Sequence, residues 1–231
     1  MFYFKRFLFL AVVLAALPIM LMGQSSDMTV EESYLQESVE LMIIREQSRA
    51  ESRDMKMVAL EYIGDAIGRG NKGDEVRAAL EYLSLEGILN VTRENGRVMN
   101  NYPDVRVKAA SYLGQLGTPE AKNTLIKIVA VDNEPMVLTE AIKSLATIGL
   151  NDNNDTINAI MWTFSRFDHL NPDNLLALSI IEAFEKLAAN GEGSRDPAVI
   201  QTLARIAEGS YIRPVRDRAR AALDYLIKSN S

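Results

Sequence analysis

The sequence predicts an all-α fold, an α-solenoid of about five antiparallel helix pairs. Three observations carry that prediction. One helical phrase returns along the chain, segments with apolar residues every three or four positions lie between its copies, and proline or glycine marks the joins.

The clearest copy is PDVRVKAASYLGQLG, residues 103–117. Pro103 suits a helix's first turn, where its missing N–H costs nothing, and Asp104 suits the positive end of the helix. Val105, Leu113 and Leu116 supply an apolar seam, and Ala109 and Ala110 permit a close neighbour. Gly117 predicts a left-handed stop, and Thr118-Pro119-Glu120 starts the next helix. RDMKMVALEYIGDAIG (53–68) aligns with it through Asp54, Ala59, Tyr62 and Gly64. EPMVLTEAIKSLATIG (134–149) aligns through Val137, Ala141, Leu145 and Gly149. NPDNLLALSIIEAFEKLA (171–188) is a weaker copy, and RPVRDRARAALDYL (213–226) restores Val215, Arg216, Ala219 and Leu223.

The alternate segments are amphipathic helices of another kind. TVEESYLQESVELMII (29–44) comes first, with Thr29 and Glu32 spaced as a capping box. GDEVRAALEYLSLEG (73–87), PEAKNTLIKIVAV (119–131), NDTINAIMWTFSRF (154–167) and DPAVIQTLARIAEG (196–209) follow. Met161, Trp162, Phe164 and Phe167 read as core packing, and Tyr62, Tyr82, Tyr112 and Tyr225 as packing residues with wet hydroxyls. A Glu-rich first helix and an Arg-rich last one suit the ends of an array, which need polar outer faces.

These residues resemble the HEAT-repeat family in its short-repeat variety, also seen in the phycobilisome lyase-like proteins. Pro103-Asp104-Val105-Arg106, Ala109, Leu113-Gly114, Leu116-Gly117 and Thr118-Pro119-Glu120-Ala121 carry the resemblance, which runs over roughly 29–228. It implies a scaffold or protein-binding surface. The lyase branch implies an alternative, an enzyme or enzyme subunit acting in tetrapyrrole attachment. The fourth copy departs by lacking the Asp-Val-Arg, and the spacing of the copies is uneven.

The widest gap between copies holds an insert, GILNVTRENGRVMNNYP (87–103), alternating apolar and polar on both sides of Asn95-Gly96. That pattern predicts a small β-hairpin or a long loop projecting from the array. NGEGSRDP (190–197) reads as a turn.

Residues 1–23 differ from everything after them. MFYFKR is basic, FLFLAVVLAALPIMLM is apolar, and GQSS turns polar, which predicts a signal peptide or N-terminal anchor followed by one repeat domain over 24–231. The apolar run of about 24 Å as a helix is short for a bilayer core, so no stable membrane span is expected unless this segment stays uncleaved. No cysteine follows it, which closes the lipoprotein route. A periplasmic or secreted bacterial protein is the expectation. Losing Lys5 and Arg6 from 25 basic residues leaves 23 against 31 acidic ones, a net charge of −8, which disfavours nucleic acid.

Candidate chemistry is sparse. With no cysteine and a single histidine, His169 between Asp168 and Asp173, neither a thiolate nor a multi-histidine metal site can form. NDNNDT (151–156) has oxygen ligands but lacks the glycine and distal glutamate of a calcium loop, so it reads as helix capping. No catalytic, cofactor or metal residue is assigned, and no cofactor is expected. The candidate protein-contact residues are Arg93, Asn95 and Arg97 on the insert, Arg106 in the signature helix, and Arg213, Arg216 and Arg220 on the last helix. Residues 195–228 hold seven basic and four acidic side chains, a positive end on an acidic body. Arg216 also has a structural reading, as a rung of an Asp–Arg ladder between repeats. The functional expectation is a non-catalytic exported scaffold binding another envelope protein through the concave face or the 87–103 insert, with self-association possible through the oppositely charged ends. A cell-wall polysaccharide binder is a further alternative.

Overall fold

The computed structural model describes residues 29–169, 171–191 and 196–229. The expected signal segment 1–23 lies outside the described residues, as do the central positions of the 190–197 turn. The chain divides into two units, residues 1–40 and 41–231.

Ten helices occur among the described residues. They are α1 (Val30–Ser48), α2 (Arg53–Gly68), α3 (Asp74–Ser84), α4 (Pro103–Leu116), α5 (Pro119–Val131), α6 (Pro135–Ile148), α7 (Asp155–Asp168), α8 (Asn174–Ala189), α9 (Pro197–Glu208) and α10 (Arg213–Ser229). Between α3 and α4, β1 (Arg93–Glu94) and β2 (Arg97–Val98) form an antiparallel hairpin. The signature copies are α2, α4, α6, α8 and α10. Consecutive members pack on one another as one layer, and α3, α5, α7 and α9 form a second.

Local chemistry sets the boundaries. Thr29 and Glu32 close the predicted capping box, with Glu32 N–H donating to Thr29 Oγ1 at 3.2 Å and Thr29 N–H to Glu32 Oε2 at 2.9 Å. Pro103, Pro119, Pro135 and Pro197 open their helices. Gly117 and Gly149 end theirs at φ 71° and 73°, backbone that a side chain strains.

Small residues explain the closeness of the signature layer. A Cβ on Gly114 would come within 2.7 Å of Ser144 Oγ, and one on Gly64 would meet the Tyr112 hydroxyl. Val105, Ala109, Ala110, Leu113 and Leu116 are buried beside them. At α10 the repeat register places Arg220 and Asp224 where α4 has Ala110 and Gly114. Arg220 pairs with Asp217 at 2.8 Å and donates to the Ala207 carbonyl at 3.0 Å. Charge thus occupies the positions that small residues hold in the earlier copy.

The aromatic group of α7 divides. Phe164 is buried and Phe167 partly so, but Trp162 is 60% exposed. The buried stripe runs Ile157, Ile160, Phe164, and Trp162 lies two residues off it, on the opposite side of the helix. Tyr225, expected to pack, is 52% exposed.

Candidate functional site

The loops within each helix pair lie on one edge of the array, and the 85–102 segment is the largest of them. Its tip is the predicted hairpin. Arg93 faces Val98, Glu94 faces Arg97, and Asn95 and Gly96 turn the chain at φ 49° and 81°. Both central residues are left-handed, as a two-residue turn that matches the strand twist requires.

The root of the hairpin is fixed. Asn100, 5% exposed, donates through Nδ2 to Glu86 Oε1 and to the Asn90 carbonyl, both at 2.6 Å, and accepts from Thr92 N–H at 2.8 Å. Gly87, at φ 74°, runs so close to the returning strand that a Cβ would come within 2.4 Å of the Asn100 carbonyl oxygen. These bonds join 86–92 to 100, so the insert leaves the array as a braced unit.

Beneath this root runs a row of buried charges. Lys56 Nζ stands 3.1 Å from Glu86 Oε2, at ion-pair distance but outside hydrogen-bond geometry, and donates to the Ser48 carbonyl at 3.2 Å. The Tyr82 ring centroid lies 5.4 Å from the same ammonium. Fifty positions on, Arg106 takes the place of Lys56 in the repeat. Its Nε donates to Asp132 Oδ2 at 2.8 Å, and its Nη1 to Asn101 Oδ1 at 2.8 Å and the Glu86 carbonyl at 3.1 Å. Asp132 also accepts from Glu134 N–H at 2.9 Å, while Arg166 caps the end of α5 through the carbonyls of Val129, Ala130 and Asp132. Each cation of the row meets an acid or carbonyl on the loop edge, as a buried charge must.

Arg106 is therefore a correction to the expected contact set. Only 1% exposed, it reaches inward, where Asp132, Asn101 and the Glu86 carbonyl take its donors. Arg93, Asn95 and Arg97 are exposed on the hairpin, and Arg213 and Arg220 on α10. Arg216 does not join the ladder: its Nε is buried without a hydrogen-bond partner. The exposed end of the ladder is instead Arg53 with Asp104, whose carboxyl burial works to raise while the Arg53 hydrogen bond and charge hold it below the ordinary range.

Between the hairpin and the α1–α2 turn lies a cleft of about 420 Å³. Thr92, Glu94 and Met99 form the hairpin wall, and Arg49, Ala50 and Glu51 the opposite wall. Tyr82, Tyr102, Asn100 and the Lys56–Glu86 pair complete it. Burial, and then the nearby Glu86 charge, push the Tyr82 hydroxyl up, so it stays a neutral donor. The cleft offers two aromatic rings, a thioether and exposed charges of both signs. No spacing in the sequence announces it, since its walls come from segments up to 50 residues apart. The alignment of Lys56 under Arg106 was the one available signal of its charged floor.

The other sequence candidates resolve into structural roles. Lys122 sits between Asp152 at 2.7 Å and Asp155 at 2.6 Å, so the calcium-like loop is neutralised from within the chain. Asp168 is held by Arg205 Nε at 2.6 Å and by the Tyr211 hydroxyl at 2.8 Å, with His169 against Arg205. Burial, then that carboxylate, push the Tyr211 hydroxyl far up. Among the described residues no three His, Cys, Asp or Glu side chains group as metal ligands, and no helix is long and apolar enough to cross a membrane.

Residues 98–162, from β2 into α7, match the sequence pattern of the family described as HEAT repeats. No curated protein and no solved structure matches the chain. That match falls on the best-formed copies of the signature helix and on the stacked pairs around them, so this part of the chain carries HEAT repeats.

Proposed function

We propose that this protein is a non-catalytic adaptor of the bacterial envelope that holds a segment of another envelope protein against its hairpin edge. HEAT repeats are generally protein-interaction elements, and the N-terminal basic, apolar, polar sequence supports export. The observation that carries the reading is the braced hairpin beside its cleft. A connector without a contact role has no need of a root tied by Asn100 to Glu86, Asn90 and Thr92. A projecting, pre-ordered loop loses little further entropy on binding. Met99, Tyr82 and Tyr102 supply apolar contact, while Arg49, Glu51 and Glu94 orient the partner.

Tyrosine rings among carboxylates and an amide also suit a sugar, so a cell-wall polysaccharide is the second reading. Affinity capture from crosslinked envelopes separates the two. The intact chain is compared with one in which residues 88–101 are replaced by a short Gly-Ser linker, and with Tyr82→Ala. A protein recovered by the intact chain and lost from both variants supports the adaptor. Retention on purified cell wall, lost with Tyr82→Ala, supports the polysaccharide. Equal recovery by all three moves binding to the signature helices.

A further inference from the structure

Among the described residues, two sets of exposed apolar side chains have complementary surroundings. In α1, Leu35, Val39 and Met42 recur at i, i+4 and i+7, and are 67%, 43% and 50% exposed. That spacing makes one apolar stripe along the helix, about 10 Å long. Its surroundings are acidic: residues 30–44 contain Glu31, Glu32, Glu37 and Glu40 and no basic residue.

The second set lies on the outer side of the hairpin. Pairing of Arg93 with Val98 and of Glu94 with Arg97 fixes which side chains share a face. Thr92, Glu94 and Met99 line the cleft. Val91, Arg93 and Val98 therefore point the other way, apolar around one arginine, and both valines are 37% exposed. Arg93 donates only to the Gly96 carbonyl and meets no carboxylate.

We infer that the chain self-associates, with α1 of one copy lying on the outer face of the hairpin of a second copy. Leu35, Val39 and Met42 cover Val91 and Val98, and Arg93 meets the acidic flank at Glu31. Three arguments favour a second copy as the occupant. An acidic apolar helix and a basic apolar ribbon are complementary, whereas two α1 helices side by side would repel. Both halves belong to one polypeptide, so they are always present in equal amount. Extension of the helical layer, the other route to assembly, is opposed by Arg220 and Asp224 on α10. The contact is heterologous, because it joins unlike patches, and it leaves the cleft free for a different partner.

The test is sedimentation velocity on the full chain, from about 1 to about 100 µM, the range in which modest interfaces populate. Wild type is expected to shift to a heavier species with concentration. Leu35→Glu/Val39→Glu and Val91→Glu/Val98→Glu should each remain monomeric while keeping the wild-type circular dichroism spectrum. Mixing the two variants should restore a heavier species, since each retains the half that the other lacks. Arg93→Glu should weaken association at least 10-fold, and Glu31→Arg added to it should restore it. A wild type monomeric throughout, a hairpin variant that still associates, or a mixture that stays monomeric would each overturn the inference.

Discussion

The two edges of the array are built from the same repeat and differ in almost everything else. One edge carries the loops within helix pairs, the other the turns between pairs. The between-pair turns, Arg69–Gly73, Gly117–Thr118 and Gly149–Asn154, are short and, apart from Thr118 and Leu150, made of glycine, asparagine and charge. They close by backbone geometry at Gly117 and Gly149, and by lysines. Lys72 donates to the carbonyls of Gln115 and Leu116, and Lys122 sits between two aspartates. The within-pair edge holds the buried row from Lys56 to Asp132, the braced hairpin and the cleft. It also exposes Met55, Leu89, Val131, Met136, Leu175 and Ile212. In α6 and α8 the apolar side chain stands at the second helical position, where α2 and α4 have aspartate. One edge only has to turn the chain; the other carries buried charge and exposed apolar groups that a turn does not need. That combination is why the proposed contact is placed on this edge.

The largest expected contrast comes from removing one cation on each edge. Arg106→Ala leaves Asp132 buried and unpaired, and should cost about 3–5 kcal/mol in urea unfolding. Lys122→Met frees Asp152 and Asp155, which face solvent, and should cost about 1 kcal/mol or less. Equal losses would erase the distinction between buried and screened ladders.

The glycines give the next contrast. Gly87→Ala drives a Cβ into the Asn100 backbone as well as straining φ, and should cost about 2–3 kcal/mol. Gly117→Ala strains φ alone, with open space around it, and should cost about 1 kcal/mol. Thermal melts of the pair measure the difference. Asn100→Ala is expected to cost about 1–2 kcal/mol and to strip hydrogen-exchange protection from the Thr92 amide while leaving α6 protected. Protection retained at Thr92 would show that the hairpin root does not depend on this side chain.

The smallest effect is a pH dependence at the between-pair edge. The Lys122 hydrogen bond, and then its charge, hold the Asp152 carboxyl below its ordinary range. A folded-state value below the unfolded one stabilises the protein above the unfolded value. That contribution is lost as pH falls below the ordinary carboxylate range and through the folded value. Wild type should therefore lose slightly more stability on acidification than Lys122→Met, which has no such pair to lose.

Much of the helical layer was legible in the sequence because its determinants are local. Proline at the first turn, alanine and glycine at the contact and glycine at the stop each act within a few residues. Asn95-Gly96 likewise specified the hairpin, since both residues tolerate the left-handed backbone of its turn. Arg106 was misjudged because an arginine on a helix looks solvated until the aspartate 26 residues on is placed beside it. The cleft was invisible for the same reason: Arg49, Tyr82 and Met99 meet only after the hairpin folds back. Trp162 could have been found, as it falls off the apolar stripe of its own helix.

The central claim is that the hairpin edge, and not its opposite, meets the partner. Photo-crosslinking tests it most directly, with p-benzoylphenylalanine placed at Met99 in the cleft wall or at Asn153 in a between-pair turn, in living cells. The account predicts a discrete adduct to another envelope protein from position 99 and none from position 153. An adduct from position 153 alone would contradict it.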